Sequence, residues 1–204
     1  METTSLSQLA VYAKDKTSVE SISINNYVST ENLLPNKGGF VPAANLPTLE
    51  QMPAFRKNDI LVSNIRPYFK KILFAKSTGG CSNDVLVFRA KPNTDPRFLY
   101  YVLSSDSFFD YSMSTAKGTK MPRGDKNALM NYMVPNFSSL TQRKIASILG
   151  AIDDKIELNV RANRTLEMIV DSMYEQLTNS KENKNGTLGD ICNIASGKRP
   201  ELRS

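Results

Sequence analysis

Along residues 145–177 a row of positions recurs at spacings that alternate between four and three: Ile145, Leu149, Ile152, Ile156, Asn159, Asn163, Leu166, Val170, Met173 and Leu177. Eight are apolar and both exceptions are asparagine. A repeat averaging 3.5 residues keeps one helix face turned toward a supercoiled neighbour, so the row predicts a coiled-coil seam. Thr141 can cap this helix, Gln142 opens its first turn, and the polar run NSKENKNG ends it after about residue 178. Such a rod is about 55 Å long. No second heptad run occurs in the 204 residues. The rod is therefore expected to pair with another chain, or else to lie along its own globular domain.

Upstream the period changes. Residues 5–12 (SLSQLAVY) have a short helical spacing of apolar positions, and the stretch after them is turn-rich, with NKGG at 36–39 and prolines at 35, 42, 47 and 53. Residues 59–65 (DILVSNI), 71–75 (KILFA) and 84–90 (DVLVFRA) are runs of β-branched and aromatic residues between turn formers, which predicts strands. Residues 96–105 predict a helix, with Pro96 at a tolerated N-terminal position. A second short helix is expected over 107–113, and a third over 125–132 with Asp125 as its cap. Between them, 117–124 (KGTKMPRG) is a basic turn.

The expected fold class is α+β, a mixed α/β domain over 1–140 followed by one long coiled-coil helix over 141–179. Residues 180–204 are read as a linker and a segment, 187–198, that compares with 5–16 at an offset of 182. Only Leu6/Leu188, Ala13/Ala195 and Lys16/Lys198 are identical. If the repeat holds, this end opens a second copy of the domain.

Composition narrows the chemistry. Hydrophobic content of 40% and charged content of 23% are those of an ordinary folded domain, and no apolar run reaches membrane-spanning length. The opening METTSLSQLA lacks the basic and apolar regions of a secretion signal, so a cytoplasmic location without membrane contact is expected. Cys81 and Cys192 form neither a disulfide framework nor a zinc set, and both are expected as thiols. Histidine is absent, which removes imidazole from any triad, metal site or proton relay. Gly-rich phosphate loops and Cys-x-x-Cys are missing too. No catalytic residue, metal ligand or cofactor is assigned. The net charge is +6, and residues 56–126 alone carry thirteen basic against six acidic side chains. That tract is where a polyanion would be gripped, although solvated lysines would give the same sum.

In this order the pieces resemble a known family. The LSQL-type opening, DILVSNIRPYFKKILFA (59–75), CSNDVLVFRAKP (81–92), FLYYVLSS (98–105), GTKMP (118–122) and QRKIASILGAIDDKIELN (142–159) after Pro135 are similar to the DNA-specificity subunit of Type I restriction-modification enzymes. The resemblance implies a target-recognition domain followed by a spacer helix, a pair normally present twice with the helices antiparallel. It further implies double-stranded DNA as the ligand, with methyltransferase (modification) subunits and restriction/translocase subunits as partners. With one recognition domain, this chain resembles a half-length form.

Phosphate contacts position a protein on DNA, whereas base edges specify the sequence. Lys70, Lys71, Lys117, Lys120 and Arg123 lie at turns or strand ends in the basic tract and are the phosphate candidates. Asn64, Arg66, Tyr68, Ser82 and Asn83 sit beside strand ends with side chains suited to base edges, though Asn64 and Asn83 serve equally well as turn residues. The resemblance adds Thr119 and Met121, because GTKMP matches a family loop that approaches DNA. Asn159 and Asn163 straddle the seam midpoint, so in an antiparallel two-fold pair each faces the other and fixes register. The expected function is non-catalytic recognition of a bipartite DNA site, as a homodimer through the helix. A coiled-coil scaffold without sequence-specific DNA binding is the alternative. A self-contained methyltransferase would need a Gly-rich cofactor loop and a [DN]-P-P-[YF] segment that the chain lacks.

Overall fold

Successive side chains point to opposite faces of a strand, and in the three predicted strands both sets are apolar. The computed structural model describes residues 2–178. In chain order its elements are β1 (Thr3–Ser5), α1 (Leu6–Leu9), β2 (Ala10–Tyr12), β3 (Lys16–Ser18), β4 (Tyr27–Val28), β5 (Gln51–Phe55), β6 (Ile60–Ser63), β7 (Ile72–Phe74), β8 (Gly79–Cys81), β9 (Val85–Ala90), α2 (Pro96–Leu103), α3 (Asp106–Ser114), α4 (Lys126–Leu129), β10 (Met133–Pro135) and α5 (Ser139–Thr178). Short 3-10 turns lie at Val19–Ser21 and Pro67–Phe69. The chain forms two compact units, Met1–Ile152 and another that starts at Asp153.

A four-stranded sheet in the order β2-β9-β6-β7 organises the first unit, with every neighbouring pair antiparallel. On one face Ile60, Val62, Ile72, Leu86 and Phe88 pack under the helices, against Phe98, Leu99, Leu103, Phe108, Phe109 and Leu129. On the other face Leu61, Val85 and Val87 meet Val28, Leu33, Phe55, Ala75 and Cys81 of the flanking region. That double burial is why these strands are continuous apolar runs in the sequence. Each fully buried large side chain contributes about 1.5–3 kcal/mol. Cys81 is a buried thiol, and its burial pushes the pKa up to about 12. Cys192, like the linker and the proposed repeat over 180–204, lies outside the described residues.

A second sheet, β3-β5-β8-β4, was not legible in the sequence. Its strands are two to five residues long, β5 contains Pro53, and β8 begins Gly79-Gly80. The glycines are there for close approach, since a Cβ at Gly79 would overlap the Asn26 carbonyl and the Phe55 ring. β1 and β10 pair antiparallel, Thr4 opposite Val134.

The helical expectation over 5–12 is half corrected. Only Leu6–Leu9 coils, and Ala10–Tyr12 extends as an edge strand because the backbone of β9 is there to pair with it. α2 and α3 form where expected, capped by Asp95 and Ser105, whose side chains accept backbone N–H bonds. Asp125 caps the last short helix, which closes after a single turn. α5 starts three residues earlier than expected. The Ser138 hydroxyl accepts the Thr141 N–H at 3.3 Å, so Ser138 takes the capping position assigned to Thr141. Gln142, Ala146 and Gly150 are the buried positions of this helix. Both polar atoms of the Gln142 amide are engaged, Nε2 donating to the Phe137 carbonyl at 2.9 Å and Oε1 accepting from the Asp95 N–H at 3.0 Å.

One end of the main sheet is tied by charge. Arg89 grips Asp59 with two hydrogen bonds of 2.8 and 2.7 Å and reaches Asp15 at 2.6 Å. The Asp59 side chain is only 2% exposed. Truncating one partner of such a pair leaves a buried charge uncompensated. We predict that Arg89→Ala destabilises the chain by about 3 kcal/mol, the low end of the range for buried pairs because Arg89 is partly solvated. Urea denaturation would measure this, and a loss under about 0.5 kcal/mol, the scale of an ordinary surface substitution, would refute it.

Candidate nucleic-acid interface

The antiparallel register sets the end of β6, the start of β7 and the start of β9 at one end of the main sheet, with Ser63 opposite Val85 and Val62 opposite Ile72. Two connections therefore emerge together, 64–71 and 82–84, and a third, 115–125, is laced onto them. The Asn64 N–H donates to the Asp84 carbonyl at 2.8 Å, and the Arg66 N–H to the Pro122 carbonyl at 2.8 Å. Gly124 N–H donates to the Asn64 carbonyl at 3.3 Å, and Lys117 and Arg123 exchange two backbone bonds that close the GTKMP turn. The NKGG turn joins from the other side, Asn36 N–H to the Phe69 carbonyl at 2.8 Å and Lys37 N–H to the Lys70 carbonyl at 3.0 Å.

All twelve sequence candidates for DNA contact lie on the first three of these connections. They differ in depth. Tyr68, Asn83, Lys117, Thr119, Lys120 and Arg123 are exposed, as is Met121. Tyr68 is 47% exposed and stacks at a tilt on Phe69, 4.6 Å between ring centres. Arg66, Lys70, Lys71 and Ser82 are half-buried. Asn64 is buried beneath Gly124, where a Cβ would come within 3.0 Å of its Oδ1 and 2.8 Å of Ser112 Oγ. Its backbone brackets two connections while its side chain lies under them.

Two features set this end of the sheet apart. Asn36, Lys37, Arg66 and Lys70 have φ of 54°, 63°, 50° and 51°, four of the five non-glycine residues in that region among the described residues. Each costs about 1–2 kcal/mol, and such strain concentrates where function holds it in place. Asn64 Oδ1, Arg66 Nε and Ser82 Oγ are also buried without a hydrogen-bond partner. Unsatisfied polar atoms are uncommon in folded interiors, and here all three belong to the base-edge candidates. Beside Ser82 and Asp84 opens a cleft of about 530 Å³, walled by Ser29–Asn32 and by 41–47.

The basic candidates are mostly engaged. Lys70 pairs with Asp106 at 3.0 Å, Lys117 with Asp125 at 2.6 Å, and Arg123 with Asp84 at 3.0 Å. Lys71 donates to the Thr30 carbonyl at 2.6 Å and lies 5.8 Å from the Phe69 ring centre. Lys120, at the turn tip, has no ion pair among the described residues. Sequence reasoning missed Lys37, Asp84 and Asp106. NKGG announces a turn, but nothing local says which carboxylate its lysine meets 69 residues away.

On the helix, Ile145 packs against the core of the first unit. Leu149 and Ile152 are exposed, by 37% and 54%. In the second unit Ile156, Asn159, Asn163, Leu166, Val170, Met173 and Leu177 are exposed as well. Among the described residues no cluster of His, Cys, Asp or Glu could hold a metal ion, and no helix is long and apolar enough to cross a membrane.

A family model described as the Type I restriction modification DNA specificity domain matches residues 12–168. The chain belongs to that family. It is 28% identical over 159 residues to the specificity subunit of the Type I restriction enzyme HindI of Haemophilus influenzae, which covers 73% of this chain and 34% of that protein. It is 29% identical over 109 residues to the EcoDI specificity subunit of Escherichia coli, over 52% of this chain and 24% of that protein. The fold matches the HsdS subunit from Thermoanaerobacter tengcongensis with a TM-score of 0.59 at 18% identity, over 91% of this chain and 51% of that one. The S subunit from M. genitalium gives 0.66 at 18% identity, over 89% and 46%. The chain thus spans about a third or less of the curated family members it matches.

Lys37, then Lys70, hold the Asp106 carboxyl below the ordinary 3.8 by hydrogen bonding, and Lys117 with the Ala128 and Asn127 N–H groups does the same to Asp125. A carboxyl depressed in the folded state stabilises it above the ordinary value and loses that effect as pH falls through the lowered one. We predict that carboxyl NMR finds both groups titrating below 3.8 in the native chain, and that the Asp106→Asn chain loses the Asp106 signal without moving that of Asp125. Ordinary titration of both would break the loop-face ion pairs described above.

Proposed function

We propose that this chain is the non-catalytic reader of a Type I restriction-modification system, a cytoplasmic subunit that recognises duplex DNA through the connections at one end of its main sheet. The supporting observation is the meeting of three connections, 64–71, 82–84 and 115–125, far apart in sequence, with strained and unsatisfied polar groups facing an exposed basic and aromatic rim. Tyr68, Asn83 and the GTKMP tip reach for the groove. Lys120, Lys117 and Arg123 meet phosphates, and Arg66 and Ser82 supply donors and acceptors at the base of the site. Residues 1–140 act as the recognition domain and 141–179 as the spacer. Methyltransferase and restriction subunits carry the chemistry and are directed by this one.

The exposed seam supports a homodimer. Since Ile145 is given to the core, the two-fold seam runs from Leu149 to Met173, each level with the other across the pair, and this length of helix is about 36 Å, about eleven base pairs. Antiparallel copies present identical readers in opposite orientation, so the target is an interrupted palindrome. Asn159 of one copy is level with Asn163 of the other and fixes the register.

Two measurements test the reading. Lys120→Glu is predicted to weaken binding to all duplexes alike and to flatten the salt slope by about one, whereas Arg66→Ala changes preference among sequences. Parent-like binding by both variants would remove the interface. Analytical ultracentrifugation is predicted to find a dimer that Leu149→Asp with Ile156→Asp dissociates. A parent chain that stays monomeric at micromolar concentration, with methyltransferase subunits and DNA added, would rule out the dimer and leave the recognition domain.

A further inference from the structure

Asp106 Oδ1 is 3.0 Å from Lys37 Nζ and also 3.0 Å from Lys70 Nζ. The two lysines come from turns 33 residues apart whose backbones are joined by the Lys37 N–H to the Lys70 carbonyl, and both residues are held at positive φ. Two strained residues thus aim their ammonium groups at one point. The anion at that point is the more exposed partner, its side chain 63% accessible against 36% and 30% for the lysines. An oxyanion arriving from solvent would meet the lysines where the carboxylate now stands. Neighbouring cations are held in the same way, Lys117 by Asp125 and Arg123 by Asp84.

Resting on the DNA-reading function above, we propose that Lys37 and Lys70 form a preformed site for a backbone phosphate of duplex DNA, occupied in the unbound protein by the Asp106 carboxylate. A carboxylate and a phosphate are both oxyanions that accept charge-assisted bonds from lysine, so DNA binding exchanges one for the other. The exchange keeps the lysines ordered in the absence of DNA and lowers the attraction of this face for any phosphate backbone. Non-specific binding, which is nearly all electrostatic, is weakened most. Asp106 thereby raises discrimination without touching a base. It stands in the first turn of α3, where a carboxylate is also favoured by the helix dipole. A purely structural Asp106 would staple the turns and leave DNA affinity unchanged or, once removed, reduced.

The full chain and D106N are compared by fluorescence anisotropy on a random-sequence duplex across a salt series. D106N is expected to bind about fivefold tighter at low salt, with a salt slope steeper by up to about two. D106E is expected to match the parent, and adding K37A and K70A to D106N is expected to abolish the gain. If D106N does not fold, K37A/K70A in the parent background reads the same site, and a loss of affinity with a flatter slope is expected. D106N that binds no more tightly than a parent that does bind overturns the phosphate site alone, as does a parent-like K37A/K70A. No duplex binding by parent and D106N alike overturns the DNA-reading function together with it.

Discussion

Burial of β6 and β9 on both faces is the constraint on which the domain depends. Strands that must present Ile60, Val62, Leu86 and Phe88 to the helices and Leu61, Val85 and Val87 to the second layer keep polar side chains only toward their ends, at Ser63 and Arg89. Polar function is displaced to the ends of the strands, where backbone groups leave the ladder and need new partners. At one end those partners are other loops. Asn64, buried under Gly124, makes two of the main-chain bonds that join the β6–β7 connection to the residues before β9 and to the GTKMP segment, and Arg66 makes a third. The rigidity of the rim is borrowed from the core below it.

Charge follows the same logic. The tract with the largest basic excess does not present an open field of cations, because Asp84, Asp106 and Asp125 each stand within 3.0 Å of a basic side chain on the rim. At such distances in solvent each pair is worth little to stability, so these carboxylates are better understood by what they do to an approaching polyanion than by what they add to folding. The pair inside the sheet behaves differently. Asp59 is almost fully buried, and Arg89 is what makes its charge tolerable there.

Much of the architecture was legible because single-sequence patterns respond to burial. The strands at 60–63, 72–74 and 85–90, the helices α2 and α3 and the Asp125 cap all carry local signatures. The second sheet has none, since its strands are short, one holds Pro53, and its glycines answer to Asn26 and Phe55, residues that are distant in the chain. The extended half of residues 5–12 was missed for a related reason. Ala10–Tyr12 is a strand only because β9 offers an edge. For the candidate site, the rim residues were found one by one from turn chemistry and charge, but their depth was not. Asn64 and Tyr68 are four residues apart, and one is buried while the other is exposed.

The sequence by itself determined the periodic features: the two-sided strands, the capped helices, the seam on α5 and the basic excess of the central tract. Each is a property of residues close together in the chain, where a 2.0 or 3.5 residue period and the choice of capping side chain act directly. Only the tertiary structure decided which distant turns meet. It joined 36–37 to 69–70 and 66 to 122, committed Ile145 to the core, and set Asp106 against two lysines. Those are long-range contacts formed when the sheet closes, and a local pattern carries no record of a partner 30 to 70 residues away.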